Sequence, residues 1–109
     1  MAVEVDQAGD VRRIILSGRL DADGVKEVES EFHEAATAEP NIIVDLSAVP
    51  FLASLGIRML VAASQEQQKM GGKVVLVSPD EMTMRILKTT GIHQLIPVTE
   101  SVDEAVAKF

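Results

Sequence analysis

Apolar and polar residues alternate near the start of the chain, as they do along a strand with one face buried. Val3 to Asp6 shows this alternation, and Val11 to Leu16 is a second apolar segment after the turn residues Ala8-Gly9-Asp10. Two such segments joined by a short turn are typical of an antiparallel pair. The sequence therefore predicts that the chain begins with a β-hairpin.

Four later segments have the spacing of amphipathic helices. The first, Gly24 to Thr37, places apolar residues on one face and glutamates on the other, and Asp21 or Asp23 is suited to cap it. The remaining helices are expected from Ser54 to about Met70, from Ser78-Pro79-Asp80-Glu81 to Thr90, and from Val102 to Lys108 after a capping Ser101.

Three further strands are predicted between these helices. They cover Asn41 to Leu46, Lys73 to Val77 and Leu95 to Val98, with Pro97 marking the last as an edge strand. The order is then β-β-α-β-α-β-α-β-α. Strands that alternate with helices after an opening hairpin predict an α/β fold with a mixed, mostly parallel sheet. We expect one domain over residues 1–109 with about four helices.

The second helix carries its apolar residues in a pattern that predicts which face is buried. Small and apolar side chains share one face, with Leu60 beside them: Leu55, Met59, Ala62 and Ala63. The polar residues of the same segment are expected to face solvent: Arg58, Gln65, Gln68 and Lys69. This assignment makes the helix one wall of the core.

Composition narrows the classes of function. The chain has 109 residues, 47% of them hydrophobic, and no cysteine, which excludes disulfides and thiolate chemistry. The formal net charge of -7 and the absence of a basic patch argue against binding nucleic acid. No segment predicts a signal peptide or membrane insertion. We therefore expect a cytoplasmic protein.

The residues of enzyme and cofactor sites are sparse. There is no phosphate-binding glycine motif and no nucleophile elbow around Ser54. His33 is interpreted as part of a solvated helix face and His93 as a loop residue, so no metal site is predicted. We expect no cofactor and no catalytic residues; a small hydrolase that uses Ser54 is retained only as a remote alternative.

Ser54 has two interpretations, because it stands where a buried strand and a loop give way to a helix. Its hydroxyl is suited to cap the first turn. The same place is suited to a covalently attached phosphate, since free backbone amides and the positive end of the helix dipole stabilise added negative charge. The physical chemistry of the segment allows both.

The segment around this serine resembles the signature of the anti-sigma-factor antagonist family, the STAS domain. The resemblance rests on Asp45-Leu46-Ser47, Phe51, Ser54, Gly56 and Ile57. Three further pieces agree with the family's pattern: Gly18-Arg19-Leu20-Asp21, Gly71-Gly72 and Gly91-Ile92. The similarity extends over nearly the whole chain.

The resemblance implies a function without enzymatic activity. An unphosphorylated antagonist binds an anti-sigma factor that is itself a serine kinase of the GHKL type, which releases a sigma factor. Phosphorylation of the antagonist ends the binding, and a serine phosphatase restores it. By position the phosphoacceptor is Ser54, with Asp21 close to it. The residues expected to bind the partner are Asp21, Asp23, Ala53, Ser54, Leu55, Gly56 and Arg58.

One position departs from the family's pattern. The residue before the acceptor is commonly Asp in the family and is Ala53 in this chain. The departure removes a carboxylate from the loop that would face the kinase. It raises an alternative, a STAS domain that is never phosphorylated and serves as an adaptor subunit of a transport or signalling complex. Arg58, four residues after Ser54, is either placed to neutralise a phosphate there or simply exposed.

Overall fold

The computed structural model describes residues 1–109 and contains five strands and five helices. The strands are β1 (Ala2–Ala8), β2 (Val11–Ser17), β3 (Ile42–Ala48), β4 (Val74–Val77) and β5 (Val98–Thr99). The helices are α1 (Ala22–Thr37), α2 (Ser54–Lys69), α3 (Glu81–Thr89), α4 (Ile92–Leu95) and α5 (Val102–Val106). The predicted α/β class is confirmed.

The five strands form one sheet in the order β1-β2-β3-β4-β5. β1 pairs antiparallel with β2, with Ala8 opposite Val11 next to the turn, and the other three pairings are parallel. The predicted hairpin and mostly parallel sheet are therefore confirmed. Because α1 and α2 each follow one parallel strand and lead back to the start of the next, both helices begin at the carboxyl edge of the sheet.

The sheet carries a core on each face. The larger apolar cluster joins α1, α2 and α3 to one face of the sheet, where Ile14, Val44 and Leu76 are fully buried. The smaller cluster lies on the other face, where Ala105 of α5 packs with Val75. Alternation along each strand explains this division, since successive residues point to opposite faces.

The prediction of a strand over Leu95 to Val98 is wrong in its first part. Residues Ile92–Leu95 form the short helix α4, and the strand is limited to Val98–Thr99. Gly91 adopts a left-handed conformation with φ 79°, which ends α3 and allows the chain to start a new helical turn at once. The predicted strand is thus reduced to two residues beside β4. Because α4 was not predicted, the number of helices is five rather than about four.

The predicted apolar face of α2 is also partly wrong. Met59, Leu60 and Ala63 are buried as expected, but Leu55 is 40% exposed and Ala62 is exposed. Gln67 is fully buried instead, and its amide donates hydrogen bonds to the carbonyl oxygens of Glu39 and Pro40. The buried face is thus rotated from the one that hydrophobicity predicts, because the loop before β3 offers Gln67 two acceptors.

Candidate functional site

Two loops meet at the carboxyl edge of the sheet, where α1 and α2 begin. Leu20 donates its amide to the carbonyl oxygen of Phe51 at 2.9 Å, and Ala53 donates its amide to the carbonyl oxygen of Leu20 at 3.0 Å. These bonds form a parallel bridge between Leu20 and Leu52. The residue before Asp21 is therefore hydrogen-bonded to the residue before Ser54, which brings the two predicted site segments together.

Two glycines let the helices approach this junction closely. A Cβ at Gly56 would lie 2.5 Å from the carbonyl oxygen of Leu20, and a Cβ at Gly24 would overlap the carbonyl oxygen of Arg19. Real Cβ atoms do not come so near to backbone oxygens. Gly24 and Gly56 thus hold the segment from Arg19 to Leu20 between the first turns of α1 and α2. The sequence marked Gly56 by resemblance and Gly24 as the start of the first helix, but it predicted a close approach at neither glycine.

Asp21 is the N-cap of α1, which decides between the two predicted candidates. Its carboxylate accepts a hydrogen bond from the amide of Gly24 at 2.9 Å and lies 3.4 Å from Nε of Arg19. The hydrogen bond from Gly24, followed by the interactions with Arg19, holds the pKa of Asp21 below its ordinary value. Asp23 is exposed and makes no such bond. Asp21 is therefore the capping residue of α1, and its carboxylate remains partly exposed.

Ser54 is exposed and is the first helical residue of α2, so its prediction as the N-cap is wrong. Ala53 holds the cap position, with φ -101° and ψ 177°, and no side chain caps the helix. The helix begins one residue earlier than it would if Ser54 were the cap. The amide of Ala53 is bonded to the carbonyl oxygen of Leu20, which fixes Ala53 in the cap position. The consequence is an accessible hydroxyl beside first-turn amides that no side chain occupies.

The neighbours of Ser54 give this surface a mixed character. Leu55 is 40% exposed, whereas Gly56 is buried against the Leu20 segment. Arg58 is exposed and forms no ion pair, and the guanidinium of Arg19 lies 4.3 Å from the centre of the Phe51 ring. The apolar side chain of Leu55 and the guanidinium of Arg58 therefore lie within about one helical turn of Ser54 along α2.

Neither of the two histidines lies in a hydrogen bond with Ser54. His33 lies farther along α1, and Nδ1 of His93 is 3.4 Å from the carbonyl oxygen of Leu87. No three residues among His, Asp and Glu are placed to hold a metal ion.

Asp45 belongs to the motif that carries the resemblance, and its contacts are those of a structural residue. Its carboxylate accepts a hydrogen bond from the amide of Ser47 at 2.9 Å and pairs with Arg13 at 3.3 Å. Arg13 also pairs with Asp6 at 2.6 Å, so one guanidinium links β1, β2 and β3. This network lies on the face of the sheet opposite α1 and α2 and has no contact with Ser54.

None of the helices is both long enough and apolar enough to cross a membrane.

The model of the STAS domain family matches residues 2–105. The chain belongs to the STAS domain family. Since the match covers nearly all of the 109 residues, it confirms the resemblance that the motifs around Ser54 predict.

Individual proteins that resemble the chain carry related descriptions. BtrV of Bordetella bronchiseptica, named a candidate anti-sigma factor antagonist, is 20% identical over 110 residues, which cover 100% of this chain and 95% of BtrV. The crystal structure of an anti-sigma factor antagonist from Mycobacterium paratuberculosis is 26% identical, with a TM-score of 0.88 over 98% of this chain and 92% of that one.

SpoIIAA of Bacillus has the same fold and has been solved in two forms. Its unphosphorylated form, described as an anti-sigma factor antagonist, gives a TM-score of 0.78 at 19% identity and covers 98% of this chain and 95% of its own. Its phosphorylated form gives a TM-score of 0.71 at 19% identity, with 98% of each chain covered. The fold thus occurs in a protein that exists with and without a phosphate.

Proposed function

We propose that this STAS domain is an anti-sigma factor antagonist switched by phosphorylation of Ser54. In the unphosphorylated state it binds an anti-sigma factor of the GHKL serine kinase type, which releases a sigma factor. The kinase then phosphorylates Ser54 and ends the binding, and a serine phosphatase reverses the modification. The observation that carries the proposal is the exposed hydroxyl of Ser54 on an uncapped first turn.

The local electrostatics favour a phosphate at this position. A phosphoserine carries a charge of about -2 at neutral pH and three acceptor oxygens. The first-turn amides of α2 have no side-chain acceptor, and Arg58, one turn later, has no ionic partner. The helix dipole adds to the attraction. Phosphorylation is therefore compatible with the folded domain, and the switch acts at its surface.

The same phosphate is unfavourable in an interface. The surface that we propose for the partner consists of Asp21, Asp23, Ala53, Ser54, Leu55 and Arg58. Leu55 is exposed and apolar, and burying it contributes binding energy. A dianion beside it would have to be desolvated on binding, which costs several kcal/mol, or orders of magnitude in affinity. Gly56 contributes by holding the surface in place, since it is buried against Leu20.

The experiment that tests the acceptor is phosphorylation in vitro. The chain is incubated with the cognate kinase and ATP, and the product is analysed by mass spectrometry. We expect one phosphate, located on Ser54, and none on the Ser54→Ala variant. Ser47→Ala is the matched control because Ser47 is also exposed near the carboxyl edge of the sheet. A phosphate elsewhere would overturn the assignment.

The switch itself is tested by the Ser54→Asp variant. We expect this variant to bind the kinase at least about tenfold more weakly than the unphosphorylated wild type does, because a charge enters the interface. The melting temperature should remain nearly unchanged, since negative charge is favourable at a helix start. Affinity is measured by calorimetry and stability by thermal unfolding. Undiminished affinity for the kinase would refute the switch.

A second candidate function follows from Ala53. The cap position of α2 lacks a carboxylate, which favours an adaptor domain that binds its partner without phosphorylation. The two experiments distinguish the candidates. An adaptor would show no phosphate on Ser54 while still binding a partner through the same surface.

A further inference from the structure

The loop between β2 and α1 holds one arginine in a defined position. Cζ of Arg19 lies 4.3 Å from the centre of the Phe51 ring, so the guanidinium covers the aromatic face. Nε of the same side chain donates to the carboxylate of Asp21 at 3.4 Å. These two contacts orient a side chain that remains 61% exposed. Arg19 is therefore preorganised in the free protein, which lowers the entropy cost of binding a ligand.

The bridge between Leu20 and Leu52 places this stacked pair beside the Ser54 segment. Both leucines are buried, and successive side chains of an extended segment point to opposite sides, so their neighbours point outward. By the register of the bridge, Arg19 lies opposite Phe51. The ring precedes Ser54 by three residues. The pair therefore borders the surface that we propose for the anti-sigma factor.

The guanidinium of Arg19 keeps hydrogen-bond donors available for another molecule. A guanidinium presents its N–H donors in a planar fork. Nε of Arg19 has an acceptor within the chain, whereas neither terminal nitrogen donates to any group of it. The terminal edge of the fork, with two parallel N–H groups, matches the two oxygens of a carboxylate. The geometry thus fits a bidentate acidic ligand.

The charges around Arg19 also favour an acidic ligand. The loop before α1 and the first two turns of α1 and α2 carry as many cations as carboxylates: Arg19, Lys26, Arg58, Asp21, Asp23 and Glu27. Two of the carboxylates are already paired, Asp21 with Arg19 and Glu27 with the amino group of Met1 at 3.2 Å. Lys26 and Arg58 form no ion pair, and Asp23 is the one carboxylate without such a partner. The net charge of -7 of the whole chain is therefore not concentrated on this surface.

The acidic groups of the neighbouring elements point away or lie farther off. Glu4 of β1 is opposite Ile15, which follows the core residue Ile14 and so points to the sheet face away from α1. The acidic start of α3, Asp80 and Glu81, follows β4, which is two strands or about 10 Å from β2. An incoming carboxylate at Arg19 therefore meets cations as its nearest unpaired charges.

We propose that Arg19, stacked on Phe51, binds a carboxylate of the anti-sigma factor, the side chain of an aspartate or a glutamate. The inference rests on the proposed function and names the chemical group that the partner brings to this surface. The pairing also strengthens the switch. A phosphate on Ser54 places a dianion on the surface that the partner approaches with a negative charge, and like charges repel.

The test compares Arg19→Gln with Arg85→Gln in calorimetric titrations of the full chain with the cognate kinase. Arg85 is the matched control because its exposed side chain also pairs with one carboxylate, that of Glu81 at 3.7 Å, but lies over no aromatic ring. Each variant removes one positive charge. We expect Arg19→Gln to weaken binding by at least about tenfold and Arg85→Gln by less than about twofold. Equal affinities of the two variants would overturn the proposal.

Two conservative variants separate the oriented fork from its charge. Arg19→Lys keeps the charge without the bidentate edge, and Phe51→Leu keeps an apolar side chain without the ring. We expect both to bind the kinase more weakly than the wild type and more tightly than Arg19→Gln. Their melting temperatures should stay close to that of the wild type, since the amide of Gly24 still caps α1 through Asp21. Full affinity in both variants would contradict a stacked, bidentate arginine.

The carboxylate of the partner is located by charge exchange. Exposed aspartates and glutamates of the kinase are replaced by lysine one at a time, and each variant is titrated with the wild-type chain and with Arg19→Glu. We expect one kinase variant to bind the wild-type chain more weakly and Arg19→Glu more tightly than the unaltered kinase does. The absence of such an exchange at every position would overturn the assignment.

Ser54→Asp distinguishes failure of this inference from failure of the proposed function. If the wild type binds the kinase and Ser54→Asp does not, while Arg19→Gln binds as tightly as the wild type, the switch is supported and this inference is wrong. If the wild type does not bind the kinase, both are wrong. If Arg19→Gln changes only the pKa of a phosphate on Ser54 in phosphorus NMR, Arg19 contacts the phosphate and not the partner, which also overturns the proposal.

Discussion

At the scale of single residues, the starts of the helices differ in one informative way. Asp21, Asp80 and Ser101 each accept a hydrogen bond from an amide in the first turn of α1, α3 and α5. Ala53 offers no acceptor at the start of α2. The 16-residue helix that carries Ser54 therefore begins with its amide donors available, which gives up stability at the place where a phosphate is proposed.

Restoring a cap at this position should stabilise the protein. We expect Ala53→Asp to raise the free energy of unfolding by about 1 kcal/mol and the melting temperature by about 4 °C, because the carboxylate accepts a first-turn amide and interacts with the helix dipole. Thermal unfolding measures the change. Ala53→Asn is the control that adds the acceptor without the charge. A lower melting temperature for both variants would contradict an open cap.

Asp80 links stability to pH. The hydrogen bond from the amide of Thr83 holds the pKa of Asp80 below its ordinary value. The unfolded chain then binds more protons than the folded one in acid, so this contribution is present at neutral pH and is lost as pH falls from about 5 to 2. We expect the stability difference between the wild type and Asp80→Asn to shrink over that range.

The control for this measurement is Asp23→Asn, which alters a carboxylate outside the cap position. Melting temperatures at several pH values give both comparisons. A difference between the wild type and Asp80→Asn that stays constant down to pH 2 would show that ionisation of Asp80 does not contribute.

At the scale of the elements, the junction of the two site loops depends on close backbone approach. Alternation and helical spacing locate β2, α1, β3 and α2, but they say nothing about the bridge between Leu20 and Leu52. That bridge forms because α1 and α2 both start at one edge of the sheet and both present a glycine to the same segment.

Replacing Gly56 tests this contact through the sign of its effect. In an open helical site, alanine would stabilise the protein by up to about 1 kcal/mol relative to glycine. At Gly56 the new Cβ would press on the carbonyl oxygen and side chain of Leu20. We therefore expect Gly56→Ala to destabilise the protein by about 1–3 kcal/mol in chemical denaturation. Ala62→Gly is the control, because Ala62 is exposed on the same helix and its replacement changes stability through helix propensity alone.

At the scale of the whole molecule, the second face of the sheet depends on a very short helix. Ala105 of α5 is fully buried in the cluster with Val75 and Val77. We expect Ala105→Asp to cost at least about 3 kcal/mol, because it would place an unpaired charge in that cluster. Ala107→Asp, at the exposed C-cap residue directly after α5, is the control. The free energy of unfolding is measured with denaturant. Equal, small losses in the two variants would contradict this role of α5.

The sequence by itself determined the order of the strands and long helices, because alternation and helical spacing are local properties. The continuous apolar segment Ile42-Ile43-Val44 is fully buried in β3, as expected of a strand covered on both faces. The motifs around Ser54 also sufficed to predict the family. The strand over Leu95 to Val98 was mispredicted because a short apolar segment has no clear period, and contacts with the rest of the fold choose between helix and strand.

Only the tertiary structure decided where each predicted site residue lies. It placed Ala53 rather than Ser54 at the cap, gave Asp21 the cap of α1, turned Leu55 toward solvent and Gln67 into the core, and assigned Gly24 and Gly56 to one junction. Asp21 caps α1 through Gly24, three residues away, but other outcomes depend on a partner distant in the chain, such as Leu20 for Ala53 or Pro40 for Gln67. Such partners become neighbours only when the sheet assembles, so no local pattern of residues encodes them.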